Sequence, residues 1–178
     1  MAPKAVEIET DEGSSEEDFA FLGREFLTWL LWRADVGEAE WEDFTVGFGG
    51  RVRLQGVGGD VTDAVLKGRS PAMGVETRAA VGAGRTLREA ELRLSTEDRE
   101  WRFTLVADTL DWKSVKLPAL LNKAEDDALA ERMTLLEELD ERMTTVFRSF
   151  LADRTRPAWA RSTVPALRTW LAEGLRVE

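Results

Sequence analysis

Residues 86–106, TLREAELRLSTEDREWRFTLV, decide the fold of this chain. On both sides of a polar centre, apolar residues occupy every second position: Ala90, Leu92, Leu94, Trp101, Phe103 and Leu105. A period of two is typical of strands that bury one face and leave the other in water. The polar run at 95–99 separates the two strands as a turn. The stretch therefore predicts a half-buried antiparallel hairpin.

Three further segments predict strands on either side of the hairpin. Residues 44–54 have apolar side chains at 44, 46 and 48, and again at 52 and 54 after a glycine pair that suits a bulge or a tight turn. Residues 61–67 predict a returning strand. Residues 112–117 predict a short edge strand because Pro118, which follows, cannot donate to a sheet. For residues 75–81 the pattern leaves a strand and a short helix open.

Helical spacing marks both ends of the chain. Ser14 or Ser15 can cap a helix whose residues 19–32 are apolar on nearly every side, with Gly37 as its stop. A last helix is predicted over residues 165–174. Before it, another helix carries an apolar row spaced by three and four, formed by Leu129, Met133, Leu136, Leu139, Met143, Val146 and Phe150.

These elements predict an α+β fold. It has an antiparallel sheet of about five strands, with the N-terminal apolar helix and the C-terminal helices packed on it. A chain of 178 residues suits one core. We expect a flexible acidic tail at residues 1–15 and a single α+β domain at residues 16–178.

The chain contains no histidine, no cysteine and no tyrosine. These side chains supply most general bases near neutral pH, most thiol nucleophiles and most borderline metal ligands, so their absence argues against most enzyme chemistry. No spacing points to a pair of carboxylates that would work as acid and base. We therefore expect a noncatalytic binding or assembly protein with no cofactor, no metal and no small-molecule substrate.

The sequence also predicts a cytoplasmic protein. Without cysteine there is no disulfide framework, and neither end shows a basic start followed by an apolar run, so no secretion signal is expected. The most apolar stretch, residues 19–32, is shorter than the about 20 residues that a membrane span needs, and it contains Arg24 and Glu25. No membrane segment is predicted.

The net charge of −10 opposes binding to nucleic acid, but its distribution along the chain is uneven. Residues 1–18 carry seven acidic residues against one basic residue, and residues 125–142 carry eight against two. The rest of the chain is slightly positive. A locally basic surface elsewhere is therefore compatible with the negative total.

Several segments resemble a known family. They are GRTL at 84–87, AELRL at 90–94, WRFTL at 101–105, LDWKSVKLP at 110–118 and FLGREFLTWL at 21–30. The first four resemble the strand pairs in the C-terminal part of the recombination-associated protein RdgC family. The last resembles a segment of divergent members of that family. The resemblance covers most of residues 19–151.

The resemblance implies a nucleoid-associated protein. Such a protein is similar to one that binds duplex DNA without strong sequence preference, forms a ring-shaped dimer around it and limits the access of recombinase. Members of the family carry an additional N-terminal half, whereas here the similar region begins almost at the start of the chain, so a closed ring is not carried over. Of the DNA contacts, the resemblance implies only Lys113 and Lys116.

A second candidate DNA surface comes from the basic region 148–168. This region has a net positive charge around Trp159 and contains Arg148, Arg154, Arg156, Arg161 and Arg168. These arginines can meet phosphate, or they can lie on a solvated face and pair with the acidic helix before them. Arg51 and Arg53 likewise suit either phosphate or the wet face of a sheet.

Two other clusters also have alternative interpretations. The acidic residues 125–127 could hold a hard cation, but a calcium-loop spacing is absent, so charge that complements a helix N-terminus explains them. The helix at 19–32 is either the central core helix or exposes Phe21, Trp29 and Trp32 as a homodimer face.

Two functions from different classes follow. The first is a noncatalytic DNA-associated protein of the nucleoid that is linked to control of recombination. The second is a protein–protein interaction or oligomerisation module that kept the fold, does not bind DNA, and has a second copy or a partner protein as its ligand. Duplex binding that weakens steeply with salt would separate the first from the second.

Overall fold

The structure is a computed structural model that describes residues 15–56, 63–68, 74–122 and 124–175. Its strands are β1 (Thr45–Gln55), β2 (Ala64–Lys67), β3 (Thr86–Ser95), β4 (Glu100–Val106) and β5 (Trp112–Lys116). Its helices are α1 (Ser15–Asp35), α2 (Val75–Gly82), α3 (Glu125–Thr155) and α4 (Val164–Gly174), and a π-helical segment, Trp159–Thr163, leads into α4. The predicted acidic tail up to residue 14, and residues 61 and 62 of the predicted returning strand, lie outside the described residues.

The five strands form one antiparallel sheet in the order β2-β1-β3-β4-β5. In the predicted hairpin, Leu92 pairs with Phe103 and Leu94 pairs with Trp101. Directly opposite residues share a face, so these apolar side chains lie together. β5 is an edge strand, as the proline after it predicted. With α1 before the sheet and the other long helices after it, the predicted α+β fold is confirmed.

One face of the sheet and the helices form the core. The buried side chains of β1, β3 and β4 belong to the same apolar cluster as those of α1, α3 and α4. Phe26 of α1 contacts Phe150 of α3 with ring centroids 5.4 Å apart, and the indole N–H of Trp101 donates to the Leu135 carbonyl at 3.0 Å. Burial of one large apolar side chain contributes about 1.5–3 kcal/mol, so this cluster fixes the helices on one face of the sheet.

α1 ends at the glycine that the sequence predicted as its stop. Gly37 has a φ of 76°, in the left-handed region that favours glycine. Its N–H donates to the Ala34 carbonyl at 3.4 Å, and the N–H of Glu38 donates to the Arg33 carbonyl at 2.8 Å. These two bonds satisfy carbonyls at the end of the helix. In the described part of the chain, no helix is both long and apolar enough to cross a membrane.

Residues 75–82 form the short helix α2, which resolves the choice that the pattern left open. α2 packs on α4, and Arg78 lies at their contact, since a β-carbon on Gly174 of α4 would lie 2.6 Å from Cβ of Arg78. The Arg78 guanidinium donates to the Trp170 carbonyl at 2.7 Å and lies 5.0 Å from the centroid of the Trp170 ring. A helix of this length is marginal by itself, so its contacts with α4, far along the chain, select the helix.

α3 buries only part of its predicted apolar row. Leu139, Met143, Val146 and Phe150 are buried, and Leu135 joins them. The other members of the row are largely exposed: Leu129 at 56%, Met133 at 56% and Leu136 at 41%. The C-terminal half of α3 is covered by α1, since the ring of Phe26 contacts the rings of Phe147 and Phe150 there. The N-terminal half of the row is left in water.

An ion-pair network ties α1 to the sheet at Asp108. Arg24 of α1 donates to this carboxylate at 2.6 Å, and Arg88 of β3 lies 2.7 Å from it. The hydrogen bond from Arg24 is the main reason that the pKa of Asp108 is lowered. A lowered pKa means that the stabilisation is present above the ordinary pKa of an aspartate and is lost as the pH falls through the lowered value. The network therefore holds α1 in place at neutral pH.

Gly23 is the point where α1 meets the end of β4. A β-carbon at this position would lie 1.8 Å from the carbonyl oxygen of Ala107. α1 cannot move away from Ala107 without weakening the hydrogen bond that Arg24, the next residue of the helix, donates to Asp108. Glycine is therefore required at this position by close approach of two backbones.

Gly23→Ala tests this approach. Helix propensity alone predicts that the substitution stabilises a helix by about 1 kcal/mol. We expect it instead to lower the free energy of unfolding by about 2 kcal/mol or more, because the new methyl group overlaps backbone. Urea unfolding followed by tryptophan fluorescence measures the change. The control is Gly47→Ala, whose β-carbon would meet nothing within 4 Å. A stabilised Gly23→Ala would contradict the close contact.

Candidate nucleic-acid interface

The second face of the sheet is polar, and no described helix packs on it. Its side chains alternate with the buried residues of the strands and are exposed or half-buried. We call it the open face. Its charged members are Arg51, Arg53, Lys67, Glu89, Glu91, Arg93, Glu100, Arg102, Lys113 and Lys116, with Asp63 just before β2.

Three cations stand side by side across the open face. Arg93 of β3 is directly opposite Arg102 of β4, which is directly opposite Lys116 of β5. Neighbouring strands are about 4.8 Å apart, so this cation row spans about 10 Å. Arg51 and Lys67 form a second cross-strand pair of cations at the other side of the sheet. Like charges directly opposite each other destabilise a sheet, so these pairings do not serve folding.

Lys113 and Lys116, which the family resemblance implies as DNA contacts, both lie on the open face. In a regular strand, residues three positions apart point to opposite faces. β5 is irregular, because Lys113 pairs with Thr104 while Lys116 pairs with Arg102. Between them, Ser114 has a φ of 53°. This bulge adds one residue to β5 and brings both lysines to the same face.

One carboxylate is shared by two members of the cation row. Glu100 lies 2.6 Å from Nε of Arg102 and 3.5 Å from Nε of Arg93. Lys116 has no ion-pair partner among the described residues. The row therefore keeps an excess of positive charge.

A second group of charges lies beside the row. Glu89 is placed between Arg53 at 3.5 Å and Lys113 at 3.3 Å. Asp63 pairs with Arg53, and this hydrogen bond is the main cause of the raised pKa of the guanidinium. The pair between Arg53 and Asp63 is exposed on both sides and contributes little to stability, so a stronger anionic ligand can replace it.

The open face is basic although the protein is acidic. It carries seven cations against four carboxylates, a net charge of +3, while the whole chain has a net charge of −10. Arg51 and Lys67 resemble Lys116 in having no ion-pair partner within the described ranges. The two acidic stretches of the sequence contribute none of the open-face carboxylates. The fold therefore separates a basic sheet face from the acidic surface of α3.

The predicted C-terminal arginines lie on the helix layer, on the other side of the sheet from the two lysines. Arg154 is 2.5 Å from the Glu25 carboxylate, and its guanidinium lies 5.7 Å from the centroid of the Phe21 ring. Arg156 pairs with Asp153 at 3.6 Å. Both arginines therefore form ion pairs with carboxylates of the same chain.

The other three predicted arginines, Arg148, Arg161 and Arg168, are exposed and lack an ion-pair partner in the part of the chain that the structure describes. They are not neutralised by the acidic helix, where Glu138 pairs with other arginines. Helix α3 ends just before Pro157, and the chain turns there, so the arginines on either side belong to different elements. The structure does not bring the two predicted sets of DNA contacts together.

The predicted dimer face is corrected at Trp29. This side chain is 1% exposed and belongs to the core, because α1 packs on the sheet and against α3, where the Trp29 ring lies 5.5 Å from that of Phe150. Phe21 is 55% exposed and Trp32 is half-buried. Phe21 and Arg168 line a groove of about 550 Å³ between α1 and α4. Of the three predicted interface residues, Phe21 is the one that presents a large apolar surface.

The acidic residues 125–127 occupy the first turn of α3, where negative charge complements the helix dipole. Among the described residues, no cluster of three or more carboxylates is arranged to hold a metal ion. Nearby, Glu131 accepts the N–H groups of Leu121 at 2.8 Å and Asn122 at 2.9 Å, which lowers its pKa. This carboxylate holds the segment between β5 and α3 in place.

No protein-family model matches the chain, and no curated protein matches it. The resemblance to the RdgC family therefore stays a prediction, as do the contacts that it implies at Lys113 and Lys116. The open face has to be interpreted from its own geometry.

Sequence reasoning missed Arg93 and Arg102, the centre of the cation row, although the signal was present. Arg93 lies two residues before Ser95, and Arg102 lies two residues after Glu100. A hairpin whose strands end at Ser95 and Glu100 pairs these two positions, as the register shows. Pairing the predicted strands would have placed two arginines opposite each other.

Proposed function

We propose that the protein binds duplex DNA through the open face, without catalysis and without strong sequence preference. The observation that carries the proposal is the cation row Arg93, Arg102 and Lys116, in which three positive charges are direct cross-strand neighbours. One carboxylate, Glu100, pairs with the two arginines. An arrangement that costs the fold stability is explained when an anionic ligand lies across it.

The dimensions of the row suit a nucleic-acid backbone. Each DNA strand carries one phosphate per about 3.4 Å of helix axis, so a row of about 10 Å faces about three phosphates. Arginine binds phosphate through two parallel N–H groups, and lysine acts as a point charge. Arg51 and Lys67 extend the positive surface on β1 and β2. The acidic α3 lies on the helix layer, away from a duplex bound in this way.

The same geometry favours binding without sequence readout. The open face is a pleated sheet surface from which charged side chains project, and among the described residues it presents no helix that could enter a major groove. Contacts to phosphate position a protein on DNA but carry no sequence information. The resemblance to the RdgC family supports duplex DNA as the polyanion and, with it, a nucleoid location and a link to recombination.

Neutralising the row tests the proposal. We expect the triple variant Arg93→Gln, Arg102→Gln and Lys116→Gln to bind duplex DNA about 10-fold or more weakly at about 50 mM salt, because each phosphate contact releases a counterion. The slope of log K against log salt is expected to become less steep by about 2 to 3 for the same reason. Fluorescence anisotropy of a labelled duplex measures both quantities.

The matched control is Arg148→Gln, Arg161→Gln and Arg168→Gln, which removes the same charge from the helix layer. We expect this variant to bind within about 2-fold of the original chain at the same salt concentration. Equal losses in both variants would show that only net charge matters, and a larger loss in the control would place the DNA on the helix layer. Either result would contradict the open face as the site.

A second candidate function, self-association, is favoured by the uncovered half of the apolar row on α3. Leu129, Met133 and Leu136 are 41–56% exposed and lie on one side of the helix. The same row in a second copy can cover it through a two-fold symmetric contact, in which each helix presents the same residues. This candidate corresponds to the predicted homodimer, with α3 in place of α1 at the interface.

Light scattering coupled to size-exclusion chromatography tests self-association. The expected result is a homodimer that dissociates in Met133→Glu, because a carboxylate in the middle of the apolar contact is costly to bury. Phe21→Glu is the control for the alternative face on α1. A mass of 20 kDa for the unaltered chain, the mass of one copy, would contradict self-association.

A further inference from the structure

The open face has a candidate ligand within the chain itself. The 14 residues before α1 carry four carboxylates, Glu7, Glu9, Asp11 and Glu12, against Lys4. Their side chains have a net charge of −3, opposite to the net charge of +3 on the open face. We infer that this acidic segment, residues 1–14, binds the open face and competes with DNA for it. The inference rests on the proposed function and names a regulation of the same site.

The segment is long enough to reach the open face. α1 passes the end of β4 at Gly23, and Ser15 lies eight residues earlier, about 12 Å along the helix. The carboxylate farthest from α1, that of Glu7, lies eight residues before Ser15 and can extend at most about 26 Å from it. The open face measures about 20 Å across its five strands and about 23 Å along β4. Carboxylates of the segment can therefore reach the end of the open face that is nearest the start of α1, where Lys113 lies opposite Thr104, three residues before Ala107.

Covalent connection makes a weak ligand effective. Exposed ion pairs are individually weak, so a separate peptide with four carboxylates would bind the open face poorly. Joined to α1 through a short connection, the same carboxylates have an effective concentration on the order of millimolar. DNA must displace them, which lowers its apparent affinity. Because the pairs are exposed, the competition fades as salt screens them over the Debye length of about 10 Å at 0.1 M.

The experiment compares DNA binding by two full-length variants that lose the same charge. One is Glu7→Gln, Glu9→Gln, Asp11→Asn and Glu12→Gln. We expect it to bind a labelled duplex about 3- to 10-fold more tightly than the original chain at about 50 mM salt. The difference is expected to vanish by about 200 mM salt.

The matched control replaces four exposed carboxylates of α3: Glu125→Gln, Glu137→Gln, Asp140→Asn and Glu141→Gln. It makes the same change of net charge with the same residue types, on the helix layer. We expect it to change duplex affinity less than about 2-fold. Equal tightening in both variants would overturn the inference, because net charge alone would then explain the effect.

A second measurement does not depend on DNA. A carbodiimide joins a carboxylate to a lysine amine in direct contact, so dilute full-length protein is expected to yield intramolecular links from residues 7–12 to Lys67, Lys113 or Lys116, identified by mass spectrometry. Links found only between two copies would overturn binding within one chain, and the absence of such links would overturn binding of the segment. If no variant binds DNA, the proposed function fails, while the cross-links still decide whether the segment binds the open face.

Discussion

The alternation of apolar and charged residues in β3 and β4 divides the sheet into one face that must be buried and one that must stay in water. α1, and α3 from Leu135 onward, cover the first face, and aromatic rings at their contact, such as Phe26 and Phe150, close the core. No described helix covers the second face. This one-sided burial leaves the charged side chains of the open face exposed or half-buried, so that the face is accessible to a macromolecule.

Keeping a sheet face wet requires polar residues, but it does not require like charges opposite each other. Opposite charges across strands would stabilise the sheet by about 0.2–1 kcal/mol per pair. The cation row has like charges at these positions and lacks this stabilisation: Arg93, Arg102 and Lys116. The bulge at Ser114 extends the arrangement to Lys113. Folding does not explain these features, whereas the proposed binding of an anionic backbone would explain them. Because the chain as a whole has a net charge of −10, its acidic surfaces would repel such a backbone, and the open face, with its net positive charge, would attract it.

Local patterns in the sequence predicted the hairpin, the edge strand and the end of α1 at Gly37, because each depends on residues close together in the chain. α2 could not be predicted, since its contacts with Trp170 of α4 select it. The exposure of Leu129 and Met133 depends on how far α1 extends over α3. In the candidate site, a regular strand would have placed Lys113 and Lys116 on opposite faces, and only the bulge shows otherwise.

Nuclear magnetic resonance of the full chain during titration with duplex DNA tests the central claim most directly, because arginine Nε–H signals report on each side chain. We predict that the signals of Arg51, Arg93 and Arg102 on the open face shift with added duplex, while those of Arg148 and the other exposed arginines of the helix layer stay in place. Shifts confined to the helix layer would contradict the account, as would an unchanged spectrum at low salt.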